Sequence, residues 1–237
     1  MKKVMLVFLL AVLGFSAFSQ SFEGMLKIDF KDETGALNAV EVKVKGKKFF
    51  IKRITGGNEK YDSYFFNSEK RELSCISVAT PKTAVVFNSD KVFKIYEQNN
   101  LKPGFAVNVS QSAKNTGQTK TVEKEKLTQK IITATTFTAD VWCDASTVNF
   151  QDLIPVLRIA GFWNEVQDGN TNFAEVNCKN TKTAKVSPLK IVKTKSSLSD
   201  DVFEIPKGIQ KVDLNKFINE QEKSPKLPAL VKAFAGF

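Results

Sequence analysis

A chain of 237 residues that contains no histidine lacks the commonest general base and metal ligand near neutral pH. Ser-His-Asp and Cys-His nucleophile systems and the zinc-binding HExxH helix are therefore out of reach. The three cysteines, Cys75, Cys143 and Cys178, are too scattered for a Cys-x-x-Cys redox or metal motif. No GxSxG elbow, no GxxxxGKS or GxxxxGKT phosphate loop and no GxGxxG turn occurs. Paired carboxylates are the remaining acid-base chemistry, and Asp32-Glu33 and Asp200-Asp201 are the closest sets. Acidic residues beside turns of antiparallel proteins are usually solvated, so neither pair is read as a catalytic dyad. The expectation is a protein that is not an enzyme and uses neither cofactor nor metal.

Apolar and aromatic material stands where catalytic residues are missing. There are 20 phenylalanines and 2 tryptophans, Trp142 and Trp163. They can fill the core of a large β domain. They can also line a cavity between a sheet and a helix and hold an apolar ligand such as an acyl chain. The lining residues expected in the second case are Leu26, Ile28, Val42, Phe137 and Val141 on strands, with Leu153 and Leu157 on a helix. In an oxidising compartment three cysteines allow at most one intramolecular bridge. Cys143 with Cys178 is the pairing favoured, against the alternative of buried thiols in the core.

The elements that must position these residues are mostly strands. Leu26, Ile28 and Phe30 alternate with Lys27 and Asp29, and Val40, Val42 and Val44 alternate with Glu41 and Lys43, the period-two pattern of half-buried strands. Further strands are expected over 48–54, 61–66, 72–79, 84–87, 92–96, 127–134, 137–143, 172–177 and 189–195. Turn-forming clusters such as Gly56-Gly57-Asn58 and Asn88-Ser89-Asp90 separate them, which argues for an antiparallel meander of nine to eleven strands. Residues 98–125 read as a long polar connection. At 149–166 the period changes: Phe150, Leu153, Ile154 and Leu157 follow helical spacing, with Asn149 as cap, Gly161 near the end and Pro155 inside. Phe203 to Pro206 reads as a short edge segment ended by proline. Residues 211–237 read as a helical tail, with helices over 213–222 and 228–237.

The first 19 residues carry the three parts of a secretory signal: Lys2-Lys3, the apolar run from Val4 to Phe15, and small residues Ala17 and Ser19 before the cut. Cleavage after Ser19 is expected, leaving a single domain from Gln20 to Phe237 in the periplasm or outside the cell. No second apolar run of membrane-spanning length follows. Without Lys2 and Lys3 the formal charge of +10 becomes +8. Almost all of it is lysine, since Arg53, Arg71 and Arg158 are the only arginines. Lysine is a hydrated point charge and not the bidentate fork that reads bases and phosphates, so no nucleic-acid partner is expected. A solvated surface keeps a β protein monomeric, and contact with anionic membrane surfaces is the other use of such charge.

Five segments in order carry a resemblance: Phe22-Glu23-Gly24, Val42-Lys-Val-Lys-Gly-Lys47, Ala139-Asp-Val-Trp142, Pro188-Leu-Lys-Ile191 and Phe203-Glu-Ile-Pro-Lys-Gly208. Together they resemble an uncharacterised family of exported proteins of Bacteroidota-type bacteria, a domain of unknown function. The resemblance covers most of residues 22–210. It implies a mainly β fold with a few helices, a strongly curved antiparallel half-barrel covered by helices, similar to the periplasmic lipoprotein carriers and receptors of the LolA and LppX type. It implies a cavity and not a particular cargo. The expected partners are a lipid or other apolar small molecule, and cell-envelope proteins if the core is closed and structural.

Overall fold

The structure is a computed structural model, and it describes residues 22–98, 111–145, 148, 150–163, 166, 172–220, 226 and 229. Twelve strands form one sheet: β1 (Glu23–Lys31), β2 (Leu37–Lys45), β3 (Lys48–Thr55), β4 (Tyr61–Asn67), β5 (Glu72–Ser77), β6 (Thr83–Asn88), β7 (Ser112–Val122), β8 (Glu125–Thr133), β9 (Phe137–Cys143), β10 (Phe173–Asn180), β11 (Val186–Lys195) and β12 (Gln210–Asp213). Their spatial order is β12-β6-β5-β4-β3-β2-β1-β11-β10-β9-β8-β7. The sheet is curved and unclosed, and the protein is mainly β. Every neighbour pair is antiparallel except β12 on β6. The meander is interrupted twice, where β11 returns to pair with β1 and joins the two halves (Ile28 opposite Ile191) and where β12 adds to β6.

Alternation decides which face is covered. In β1 and β2 the pairs Leu26–Val42 and Ile28–Val40 sit opposite one another and are fully buried, while Lys27 and Glu41 between them face outward. Three helices, α1 (Ser89–Gln98), α2 (Phe150–Ile159) and α3 (Leu214–Glu220), place Val92 and Ile95, then Leu153 and Leu157, then Leu214 and Ile218 into the one large core cluster on the inner face. The outer face has a small second cluster of Phe65, Ile76 and Ala84, on which Phe50, Ile205 and Ile209 pack. That cluster guides the chain from β11 across the back of the sheet to deliver β12 beside β6.

The structure departs from the expected elements in four places. The polar connection expected over 98–125 contains β7, a strand whose residues are almost all exposed on both sides. With no face to bury it carries no apolar alternation, and its pairing with β8 holds it in place. The strand expected over 92–96 is helix α1: the Asn88 side chain accepts the backbone N–H of Lys91, 3.1 Å, an N-cap that starts a helix where the apolar residues suggested a strand. The edge segment expected at 203–206 forms no strand: Phe203 ends a 3-10 turn (Asp200–Phe203), and the edge strand comes later as β12, bringing the count to twelve. The helix expected over 149–166 stops at Ile159. Gly161, at φ +79°, closes it with two reverse bonds, Gly161 N–H to the Arg158 carbonyl and Phe162 N–H to the Leu157 carbonyl. The leader at 1–19, Asn149 and nearly all of the second terminal helix lie outside the described residues. Among the described residues no helix is long and apolar enough to cross a membrane.

Candidate functional site

Helix α2 crosses the inner face from one end of the sheet to the other and is seated differently at its two ends. At its start Asp152 lies in the first turn, where a carboxylate complements the helix dipole. Its Oδ2 accepts Lys47 Nζ at 3.2 Å, and Arg71 Nη1 lies 3.7 Å from Oδ1. The same Arg71 grips Asp90 of α1 through Nε and Nη2 at 3.0 and 2.8 Å, so one guanidinium serves both helices. At the far end the contact is backbone on backbone. Asn58 N–H donates to the Ala160 carbonyl at 2.9 Å. Gly57 (φ +66°) packs so close that an added Cβ would stand 2.5 Å from that oxygen. The Asn38 side chain holds this turn by accepting the Gly57 N–H at 2.6 Å.

Beneath the start of α2, Phe150, Trp163 and Phe173 form a trio of rings with centroids 5.4–5.8 Å apart. The indole N–H of Trp163 donates to the Val166 carbonyl at 3.0 Å. Lys193 points inward, as its parity with Leu189 and Ile191 requires. Its ammonium bonds Asp144 Oδ2 at 2.6 Å and sits 5.3 Å from the Phe150 ring centre. The two side chains are only 10% and 12% exposed. Burial pulls the Lys193 ammonium below the ordinary lysine range, and the bond to Asp144 works against that pull. On the other half of the sheet Tyr64 stands opposite Cys75, both wholly buried. The Tyr64 hydroxyl has no hydrogen-bond partner among the described residues. Burial pushes both the phenol and the Cys75 thiol far up, so both stay protonated.

All seven expected lining residues belong to the one inner cluster. Leu26, Ile28, Val42, Val141, Leu153 and Leu157 are 0% exposed and Phe137 is 2% exposed, so in this conformation the sheet and helix pack directly on one another. Arg158 of α2 is also buried. The Cys143–Cys178 bond is not made, and the three cysteines are buried thiols. The register explains why: Cys178 is opposite Ala139, four residues along β9 from Cys143. That is about 13 Å at the usual strand rise, beyond the roughly 7 Å a disulfide spans. The two carboxylate pairs are used structurally. Asp32 accepts the Thr34 N–H and hydroxyl and the Ala36 N–H, which shapes the β1–β2 turn and holds its carboxyl below the ordinary range, the Thr34 hydroxyl contributing most. Asp200 is held low chiefly by the hydrogen bond from Lys48, then by the charge of Lys45. Among the described residues no group of three or more acids or cysteines is placed to hold a metal.

Sequence reasoning passed over Tyr64, Lys193, Asp144 and the Gly57–Gly161 seat. Parity would have placed Tyr64 inward with Phe66, and Lys193 inward with Ile191. Nothing local marks the glycine contact, which joins residues about a hundred positions apart.

No protein-family model matches the chain, and none of the curated proteins does. The chain resembles solved structures at low identity. An uncharacterized conserved protein from Thermus thermophilus shares 10% identity, covering 87% of this chain and 99% of that one, with a TM-score of 0.49. A LolA superfamily protein, NE2245 from Nitrosomonas europaea, shares 10% identity over 79% of this chain and 91% of that one, at 0.33. MucB, solved in complex with MucA(peri), shares 7% identity over 82% of this chain and 57% of that one, at 0.41.

Proposed function

We propose that this protein is a non-enzymatic binding protein of the cell envelope, periplasmic or secreted, that holds a lipid or other apolar ligand between the inner sheet face and α2. The observation that carries the reading is the Tyr64 hydroxyl, fully buried in the apolar cluster without a hydrogen-bond partner among the described residues. A buried orphan polar atom costs about 1–3 kcal/mol and calls for an explanation. A ligand with an apolar body and a polar end would satisfy it. Leu26, Ile28, Val42, Phe137 and Val141 on the sheet, with Leu153 and Leu157 on α2, would line the space once α2 lifts. Native mass spectrometry of protein taken from its own host, with extracted lipids identified, tests this. A bound apolar molecule in stoichiometric amount is the expected result, and a protein with none counts against it.

A second reading is favoured by a different observation. All seven lining residues are packed with essentially no exposure. A closed core of that kind suits a structural or interaction module that meets envelope proteins through its surface. An absence of co-purified ligand, together with no response from a fluorescent fatty acid, selects this reading.

A further inference from the structure

The two ends of the sheet differ in how their charges are used. At the end where α2 starts, each basic turn faces acids: Lys45 and Lys48 meet Asp200, Lys47 meets Asp152, and Arg71 meets Asp90. At the opposite end the β10–β11 turn carries Lys179, Lys182 and Lys185, all exposed and with no ion pair among the described residues. No acidic residue occurs between Glu175 and Asp200. The acids of the neighbouring β1–β2 turn are engaged, Asp32 by its own turn and Glu33 by the Asn180 side chain at 2.8 Å.

On β2, β3 and β11 three aliphatic side chains stand out of the protein at this same end. Val186 is 49% exposed beside the lysine turn, Leu37 is 50% exposed at the start of β2, and Ile54 is 56% exposed near the end of β3. The register sets all three toward the same end of the sheet: Val186 is opposite Lys179, Leu37 is opposite Lys31, and Ala39, two residues on, is opposite Thr55. The β10–β11 turn, which carries the lysines and leads into Val186, is held by hydrogen bonds of its own. The Asn180 side chain accepts the N–H groups of Lys182 and Thr183 at 2.9 and 3.1 Å, and the Thr181 hydroxyl donates to the Thr135 carbonyl at 3.1 Å. A single exposed aliphatic residue is ordinary. Three on one rim, beside lysines without acidic partners, are a pattern.

We infer that this rim docks onto an anionic phospholipid surface, with Leu37, Ile54 and Val186 entering the headgroup layer and Lys179, Lys182 and Lys185 meeting lipid phosphates. The side chains select that occupant over an acidic protein. Protein interfaces are anchored by aromatic residues and arginine and are depleted in lysine. Lysine stems can lie along an apolar boundary while their ammonium groups reach phosphate, and anionic leaflets attract such clusters. The inference does not depend on whether a ligand is held under α2.

The test is co-sedimentation of the chain from Gln20 to Phe237, which holds every described element, with phosphatidylcholine vesicles with and without about a third phosphatidylglycerol. Binding only to the anionic vesicles, weakened by high salt, is expected. The double variant Lys182→Glu, Lys185→Glu should bind at least roughly tenfold more weakly. Leu37→Ser with Ile54→Ser should also weaken binding, at an unchanged melting temperature, since both side chains are exposed. Equal binding to neutral vesicles, no loss in either variant, or no binding to anionic vesicles at low salt would each overturn the inference. The last outcome would leave the lysine turn to an acidic protein partner.

Discussion

The two ends of α2 are fastened by different materials. At the start, side chains do the holding: Asp152 between Lys47 and Arg71, Phe150 in its ring trio, and Lys193 between Asp144 and the Phe150 ring. At the end the backbone does it, with Gly161 seated on Gly57 and Asn58 bonded to Ala160. Lys47 and Arg71 can exchange their contacts by changing rotamer without moving the chain, whereas Phe150 and Lys193 are buried. A glycine seat at positive φ has no such freedom. If a ligand is held as proposed, the start of α2 would be the end that lifts to admit it, and the Gly57–Gly161 contact would be the pivot.

Four substitutions probe that contrast, from the largest effect to the smallest. Leu157→Asp puts a carboxylate into the fully packed middle of the helix, and an unpaired buried charge costs several kcal/mol. The largest fall in melting temperature should be seen there, and a near-native melt would mean that water already reaches this face. Gly57→Ala attacks the pivot, combining a left-handed backbone with a Cβ 2.5 Å from the Ala160 oxygen and 2.6 Å from the Phe162 ring. A loss of about 2–3 kcal/mol is expected. For a chain of this size that is a fall of roughly 5–10 °C. An unchanged melt would show that the end seat is as adaptable as the start.

Tyr64→Phe has the opposite sign. Removing an unsatisfied buried hydroxyl should stabilise the ligand-free protein by about 1 kcal/mol, read in a denaturant titration. Destabilisation instead would mean that the hydroxyl already has a partner. Asp152→Asn should cost least, about 0.5 kcal/mol, because Lys47 is exposed and Arg71 partly so, and solvent screens both contacts. Amide exchange should nevertheless quicken over the first turn of α2 and stay slow at 157–160. Uniform quickening along the helix would remove the distinction between its ends.

Most strands were readable because one face of each is buried, and alternation reports burial directly. Leu26, Ile28, Val40 and Val42 could hardly have been placed otherwise. The same logic hid β7, whose Lys114, Asn115, Thr116 and Thr119 bury nothing and owe their conformation to hydrogen bonds from β8. Helix α1 was misread because Val92 and Ile95 also fit a short strand, and the Asn88 cap that decides the matter also fits a turn. The seven residues expected to line a site fall in one inner cluster because they share parity and helical spacing. The disulfide was not predictable, since parity gives the face of Cys143 and Cys178 but not the register that sets them four residues apart. Distant contacts, Arg71 shared by two helices and Gly57 beneath Gly161, leave no periodic trace.

The most direct test of a ligand held under α2 is the titration of a fluorescent fatty acid into the wild-type chain and Tyr64→Phe side by side. The account predicts saturable one-to-one binding by the wild type, weakened roughly threefold to tenfold when the hydroxyl that meets the polar end is removed. No saturable binding by the wild type would contradict it.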